Sequence, residues 1–151
     1  MIKLANLKKV YKAQKHNEHL VLNDLNLAIK HGESIAIEGR SGSGKTTLLN
    51  IITGMDAAFT GTYQFNDINL SQANPATRSK FRQERLGIIT QQFDLLDDRN
   101  VYANLALAIS HQKLSREEKS ARVAEVLAYV GLAGYEKKQI NRYYSRPLEK
   151  I

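Results

Sequence analysis

The stretch that most constrains this chain is GRSGSGKTT, residues 39–47, which follows the short apolar run SIAIE. It fits the pattern G-x-x-x-x-G-K-[ST], in which a strand turns sharply into a helix around a phosphate chain. The turn positions of that pattern need positive φ and little side-chain bulk. Successive backbone N–H groups then form an anion nest at the positive end of the helix dipole. The sequence therefore predicts a phosphate-binding loop, called the P-loop below.

Individual P-loop residues have predicted roles. Lys45 is expected to reach the β- and γ-phosphates of a nucleoside triphosphate, and the Thr46 hydroxyl is expected to ligate Mg²⁺. The other candidate nucleotide-binding residues of the loop are Gly39, Arg40, Ser41, Gly42, Ser43, Gly44 and Thr47. A P-loop alone does not choose among kinases, GTPases, motors and transporters, so other positions must separate these classes.

Composition indicates an ordinary soluble domain in the cytoplasm. The 151 residues suffice for one domain with a buried core, and 42% of them are hydrophobic. No apolar run approaches the roughly 18 residues of a membrane helix, and the first twelve residues are too polar for a signal peptide. The absence of cysteine agrees with a reducing compartment. The net charge of +7 is compatible with a nucleic-acid or anionic-lipid partner. The basic residues are scattered among acids, however, which favours a solvated surface and no nucleic-acid partner.

Hydrophobic patterning predicts an α/β chain in which strands dominate the first third and helices the last. Alternating apolar residues indicate antiparallel strands, and short continuous apolar runs indicate buried ones. The predicted strands lie at residues 2–7, 20–29, 34–38 and 86–90, with two more between residues 62 and 70 around the turn pair Asn66-Asp67.

Start and stop signals predict four helices. The first follows the P-loop and stops at Gly54, and the second begins with Asn74 as its cap and runs to about Glu84. A third is predicted at residues 100–109. The fourth opens with the capping box formed by Ser115 and Glu118 and ends at Gly131. Its predicted apolar face consists of Val123, Val126, Leu127 and Val130.

Two further positions point to one protein family. Gln91, in LGIITQQFDLL, resembles the Q-loop glutamine of ATP-binding-cassette (ABC) ATPases, which touches Mg²⁺ and the γ-phosphate side. Gln92 is the alternative, but counting back from Leu95 as in the family favours Gln91. Tyr11, in LKKVYK, matches the A-loop aromatic of the same family, which stacks on adenine. Taken alone, Tyr11 is equally consistent with a packing tyrosine and Gln91 with a polar loop residue. The order aromatic, P-loop, Q-loop identifies the chain as a member of the family.

The resemblance extends from Met1 to about Arg142. Within the family, the chain is similar to the subgroup for lipoprotein release, macrolide export and bacteriocin export. The resemblance implies a P-loop nucleoside triphosphate hydrolase fold of ABC type. The expected parts are an N-terminal antiparallel β part, an incomplete core sheet and a partial helical subdomain. The implied domains are a nucleotide-binding core at residues 1–99 and a helical part at residues 100–151. The implied cofactors are ATP and Mg²⁺, with Thr46 and Gln91 as contacts of the metal ion.

The same resemblance implies an ATP-binding component that powers export or extraction of a peptide, lipoprotein or drug. Its partners would be an integral-membrane permease on a separate chain and a second copy in a nucleotide-sandwich dimer, at the inner face of the cell membrane. Two alternatives stay open. One is a P-loop ATPase of DNA repair or translation, although such relatives usually carry long insertions or tandem domains. The other is a non-catalytic protein that binds ATP or a permease without turnover.

The chain departs from the family pattern after residue 142. The family continues with the signature LSGGQ, a strand ending in Asp-Glu and a switch histidine, whereas this chain reads QINRYYSRPLEKI. Ser145 falls near the signature serine, but Arg146 and Pro147 replace the glycines that let backbone approach phosphate. We therefore expect a chain truncated before the signature motif. With the flanking Asp-Glu strand missing, residues 34–38 would have an open side, and we expect marginal stability, self-association or pairing with another chain.

Catalysis is also expected to suffer from this departure. Phosphoryl transfer depends almost entirely on positioning and charge stabilisation, so losing the catalytic carboxylates and the signature loop is severe. No acid in the sequence is an obvious substitute, because Asp97 and Asp98 follow the Q-loop and Glu117 belongs to a helix start. The 151 residues are therefore expected to hydrolyse ATP at no more than a background rate.

Overall fold

A computed structural model describes residues 1–12, 18–90 and 95–140 of the chain. Gln91, Gln92 and the stretch 145–147, on which some of the sequence predictions rest, lie outside the described residues. The chain divides into two compact units, Met1–Gly87 and Ile88–Ile151. The domain boundary at residue 99 stays a prediction.

The first unit is built on a four-stranded antiparallel sheet in the order β2-β1-β3-β4. Its strands are β1 (Ile2–Lys12), β2 (Glu18–Ile29), β3 (Thr60–Phe65) and β4 (Ile68–Asn69). The predicted first two strands are confirmed, and both are longer than predicted because their ladder continues to the pair Lys12 and Glu18. The predicted pair of short strands around Asn66 is also confirmed.

Helices α1 (Lys45–Ile52) and α2 (Pro75–Arg85) share one apolar core with this sheet. Burial raises the pKa of Tyr63, so its hydroxyl stays protonated and donates to the Ile52 carbonyl oxygen at 2.6 Å. Phe81 of α2 packs edge-on against Tyr63, with ring centroids 6.4 Å apart. The core residues are Leu4, Leu7, Leu22, Leu48, Ile51, Tyr63, Leu70 and Phe81. The end of α1 is thereby fixed to the sheet.

The second unit contains α3 (Val101–Ala108) and α4 (Arg116–Tyr129). The predicted capping box of α4 is confirmed, since the Ser115 hydroxyl accepts from the Glu118 amide and the Glu118 carboxylate accepts from the Ser115 amide. Val123 and Leu127 are buried, whereas Val126 is exposed together with Val130. The buried stripe of α4 is therefore narrower than its sequence spacing predicts.

Two segments predicted as strands are irregular. Residues 34–38 and 86–90 belong to no strand, and Ile35 is 42% exposed while Ile89 is 99% exposed. An apolar run becomes a strand only where a neighbouring segment supplies the paired N–H and C=O groups. Within the described residues, every ladder joins two of β1, β2, β3 and β4. The strand predictions for these two segments are wrong.

The packing of α1 generates a stability prediction with an internal control. Ile51 is 0% exposed and Leu49, two residues earlier, is 48% exposed. Ile51→Ala is expected to lower the free energy of unfolding by about 2–5 kcal/mol, because it leaves a cavity in the core. Leu49→Ala is expected to change it by less than about 0.5 kcal/mol. Urea unfolding followed by circular dichroism measures both values.

If Ile51→Ala prevents folding altogether, Ile51→Val replaces it, with an expected loss of about 0.5–1.5 kcal/mol. Equal losses at residues 49 and 51 would show that α1 does not pack as described.

Candidate functional site

Two glycines allow the P-loop to turn into α1. Gly39 has φ 155° and Gly44, the N-cap residue of α1, has φ 91°, and both values are in the region that L side chains rarely adopt. A Cβ on Gly39 would lie 2.7 Å from the Ser43 Oγ, and one on Gly44 would lie 2.9 Å from the Val21 Cγ1. Both positions therefore favour glycine because of their backbone conformation. In addition, Gly39 lies close to the loop residue Ser43, and Gly44 lies close to Val21 of β2.

The N-terminus of α1 differs from the other helix starts in the described residues. Helices α2, α3 and α4 each have a side-chain cap, from Asn74, Asn100 and Ser115 respectively. Helix α1 has no side-chain cap bond and no acidic residue in its first turn. Its first N–H groups have no intrahelical acceptor, and the helix dipole adds partial positive charge there. This end of α1 is therefore suited to an anion such as a phosphate.

Lys45 lies across the P-loop. Its Nζ donates to the Gly39 carbonyl oxygen and to the Arg40 carbonyl oxygen, each at 2.7 Å. An ammonium group has three N–H donors, so a third remains for a phosphate oxygen. The two carbonyl contacts hold the positive charge beside the uncapped helix start, where it reinforces the attraction for an anion.

The P-loop borders a cavity of about 490 Å³, a volume in the usual range for small-molecule sites. The lining residues are Tyr11, His19, Val21, Ser41, Gly42, Gly44, Lys45, Thr46 and Thr47. The structure thus brings Tyr11 to the P-loop, as the sequence prediction requires. Gly39 and Arg40 act through the carbonyl groups that hold Lys45. No acidic side chain is among these lining residues, which also favours an anionic ligand.

Magnesium fits this site as a companion of phosphate. Thr46, whose side chain carries a hydroxyl oxygen, is among the lining residues, and Mg²⁺ is commonly held by few protein oxygens together with substrate phosphates and water. In residues 1–12, 18–90 and 95–140, no group of three His, Asp or Glu side chains is arranged to hold a metal ion. The cation would therefore enter with the phosphates.

Tyr11 lies beside an ion pair formed by Lys9 and Asp56, which the sequence analysis did not identify. The Lys9 Nζ lies 2.6 Å from the Asp56 Oδ2 and 4.6 Å from the centroid of the Tyr11 ring. Desolvation by itself raises the pKa of Asp56, but hydrogen bonds from Lys9 and the Ala58 amide outweigh it and hold that pKa below its ordinary value. Asp56 is therefore an anion at neutral pH, neutralised by Lys9.

Some of these site residues had a signal in the sequence and others had none. Lys9 precedes Tyr11 by two positions in a strand, so both side chains point to the same face of the sheet. His19 is the direct partner of Tyr11 in the ladder of β1 and β2, so the register predicts its place once the strands are paired. Asp56 lies in the loop after α1, and its position depends on the tertiary packing alone.

No helix in the described parts of the chain is both long enough and apolar enough to cross a membrane.

Comparison with protein families gives a match to the ABC transporter model over residues 22–146. Among curated proteins, the chain is 34% identical over 136 residues to the macrolide export ATP-binding/permease protein MacB of Neisseria gonorrhoeae. It is 36% identical over 132 residues to the uncharacterized ABC transporter ATP-binding protein YvrO of Bacillus subtilis. It is 39% identical over 132 residues to the methionine import ATP-binding protein MetN 1 of Pectobacterium atrosepticum.

These alignments cover most of this chain but only part of each relative. They include 90%, 87% and 87% of this chain, and 21%, 57% and 38% of the three relatives. Among solved structures, the dimeric bacterial ABC transporter cassette MJ0796 matches with a TM-score of 0.82 at 31% identity, over 97% of this chain and 64% of that chain. A post-hydrolysis state of the same cassette, bound to ADP and Pi, matches with a TM-score of 0.80 at 31% identity, over 92% of this chain and 61% of that chain.

The lowered pKa of Asp56 predicts a pH-dependent contribution to stability. Because the folded-state pKa lies below the ordinary value of 3.8, the contribution is fully present above that value and is lost as the pH falls through the folded-state pKa. The stability difference between wild type and Asp56→Asn should therefore be largest at neutral pH and shrink in acid. Urea unfolding between about pH 3 and pH 7 measures this difference.

Asp67→Asn is the matched control, since Asp67 is an exposed residue in the turn between β3 and β4. A difference for Asp56→Asn that stays constant down to the acid limit would rule out the charged pair as its source.

Proposed function

The chain belongs to the ABC transporter family, and we propose that it binds ATP with Mg²⁺ as the ATP-binding component of a transport complex. The observation that carries this proposal is the cavity that Tyr11 shares with the uncapped start of α1. One part of that cavity offers an aromatic ring and the other offers donors for phosphate. A purine nucleoside triphosphate has the matching chemistry in one molecule.

The phosphates are assigned to the P-loop and the first turn of α1. Backbone N–H groups that lack a cap would bind the phosphate oxygens, and Lys45 would add a charged hydrogen bond to the β- and γ-phosphates. Thr46 would hold Mg²⁺, which would neutralise part of the phosphate charge. Gln91 is proposed as a second contact of the metal ion, on the resemblance of LGIITQQFDLL to a Q-loop.

The adenine ring is assigned to Tyr11. Its side chain is 45% exposed and lines the cavity, so a planar base can stack on it without displacing the core. Such stacking tolerates any base with a π face, and the phosphate contacts then supply most of the affinity. His19 and Val21 lie beside the ring in the same lining and would border the base.

Family membership supports general proposals about transport partners, but it does not identify the transported substrate. The relatives include one named for macrolide export and one named for methionine import, at similar identity. We therefore propose the ATP-binding role common to both and assign no direction of transport. A membrane permease and a second ATP-binding domain are proposed as partners, and the solved cassette that matches this chain is dimeric. Such a complex would hold the chain at the inner face of a membrane.

Replacement of Lys45 tests phosphate binding. Lys45→Ala is expected to weaken binding of a fluorescent ATP analogue by more than about tenfold, because it removes a charge-assisted hydrogen bond to phosphate. Lys80→Ala, on the exposed surface of α2, removes the same charge and serves as the control. A titration that gives equal dissociation constants for wild type and Lys45→Ala would refute the proposed site.

Replacement of Tyr11 tests adenine binding. Tyr11→Ala is expected to weaken ATP binding by about 1 kcal/mol, roughly fivefold, as for one aromatic contact, and to leave inorganic triphosphate binding unchanged. Calorimetric titration with both ligands in the presence of Mg²⁺ measures this. If wild type binds ATP and triphosphate equally well, the assignment of adenine to Tyr11 is wrong, whatever the outcome for Lys45.

A further inference from the structure

Buried Lys9 and partly buried Asp56 form an ion pair in the first unit that has no role in the function proposed above. The Lys9 side chain is 4% exposed and that of Asp56 is 18% exposed. The Lys9 Nζ donates to the Asp56 Oδ1 and to the Ala58 carbonyl oxygen, each at 2.8 Å. The Asp56 Oδ1 also accepts from the Ala58 amide at 2.9 Å. The pair therefore ties β1 firmly to the loop that follows α1.

Tyr11 is the third member of this arrangement. The Lys9 ammonium lies 4.6 Å from the centre of its ring, which is the geometry of a cation–π contact. The Tyr11 hydroxyl lies 3.5 Å from the Asp56 Oδ2 and 3.4 Å from the Thr47 Oγ1. These two hydroxyl contacts are long for hydrogen bonds between oxygens, so the main contact of the ring is the Lys9 ammonium, which Asp56 holds in place.

Stabilisation of the fold does not by itself explain the ion pair between Lys9 and Asp56. Desolvation offsets much of the attraction between buried charges, and a well-packed apolar pair often serves the fold equally well. An exposed tyrosine, in contrast, samples several rotamers unless neighbours restrict it, and ordering it at binding reduces affinity. The contacts of Lys9 and Asp56 restrict the Tyr11 ring before any ligand arrives.

We propose that the Lys9–Asp56 ion pair is a positioning device that holds the Tyr11 ring as a preformed wall of the nucleobase subsite. This inference rests on the proposed function, since it takes Tyr11 as the residue that stacks on the base. Thr47 belongs to the first turn of α1, and Asp56 follows the same helix. The pair thereby fixes the base-binding wall relative to the phosphate-binding end of the site. Lys9 and Asp56 act through Tyr11 and not on the nucleotide.

Ligand discrimination separates positioning from a purely structural role. Calorimetric titration of the 151-residue chain with MgATP and with magnesium triphosphate gives a ratio of affinities that reports the nucleobase share. Asp56→Asn is expected to lower ATP affinity about two- to threefold and to leave triphosphate affinity unchanged, because only the base contact loses preorganisation. In a Tyr11→Ala background the same substitution should have no further effect on either ligand. Asp67→Asn, the same chemical change in an exposed turn, is the control.

A spectroscopic measurement tests the restriction of the ring directly. The chain contains no tryptophan, so Tyr11→Trp places a single tryptophan at this position, and its emission can be excited separately from that of the remaining tyrosines. Time-resolved anisotropy without nucleotide should show little fast local motion, and adding Asp56→Asn should increase its amplitude. Far-UV circular dichroism confirms that the variants remain folded. If Asp56→Asn does not fold, Lys9→Met combined with Asp56→Asn removes both buried charges and takes its place.

The outcomes distinguish this inference from the function on which it rests. Equal affinity of wild type for the two ligands would overturn both the adenine assignment and the positioning role. A preference for ATP that Tyr11→Ala removes and Asp56→Asn leaves intact would overturn the positioning role alone. Equal loss of affinity for both ligands in Asp56→Asn, or unchanged anisotropy, would also overturn it and leave the ion pair a structural one.

Discussion

The packing of α1 against the antiparallel sheet holds together the parts of the candidate site that lie in the first unit. Leu48 and Ile51 on one side of the helix are buried with residues of β1, β2 and β3. The helix begins at Gly44, where the backbone lies so close to Val21 of β2 that no larger residue fits. Because β2 pairs with β1, the same contact sets the distance between the helix start and Tyr11. Loss of this packing would separate the phosphate donors from the aromatic ring.

The charges of the site follow from how each one is compensated. Lys9 and Asp56 are buried together and neutralise one another, so they add little field to the cavity. Within residues 1–12, 18–90 and 95–140, Lys45 is held by carbonyl oxygens alone, which carry partial and not full negative charge. The uncapped start of α1 adds to the same positive field. Lys9 and Lys45 therefore differ in the charge that they leave available to a ligand, because Lys9 is paired with a carboxylate and Lys45 with carbonyl oxygens.

The irregular segment that precedes the P-loop, residues 34–38, shows what a strand needs besides a suitable sequence. Residues 34–38 have the apolar pattern of a buried strand, and Ile37 does pack against the core. Ile35 remains exposed, and no ladder of the described residues includes this segment. Exposed apolar side chains beside backbone that belongs to no ladder form a surface on which another strand can pair.

The sequence by itself determined the local caps and turns, and it predicts phosphate binding at the P-loop. The P-loop, the caps Asn74, Asn100 and Ser115, and the turn at Asn66 follow from rules that involve only neighbouring residues, and the structure has all of them. Tyr11 was proposed as a site residue because LKKVYK resembles the A-loop of the family. The tertiary structure decided which apolar runs became strands, because pairing needs a partner that lies far away in sequence. It also decided the surroundings of Tyr11, since Asp56 reaches Lys9 only after α1 has packed on the sheet. Hydrogen bonds and ion pairs between distant residues depend on that packing, and no local pattern in the chain records them.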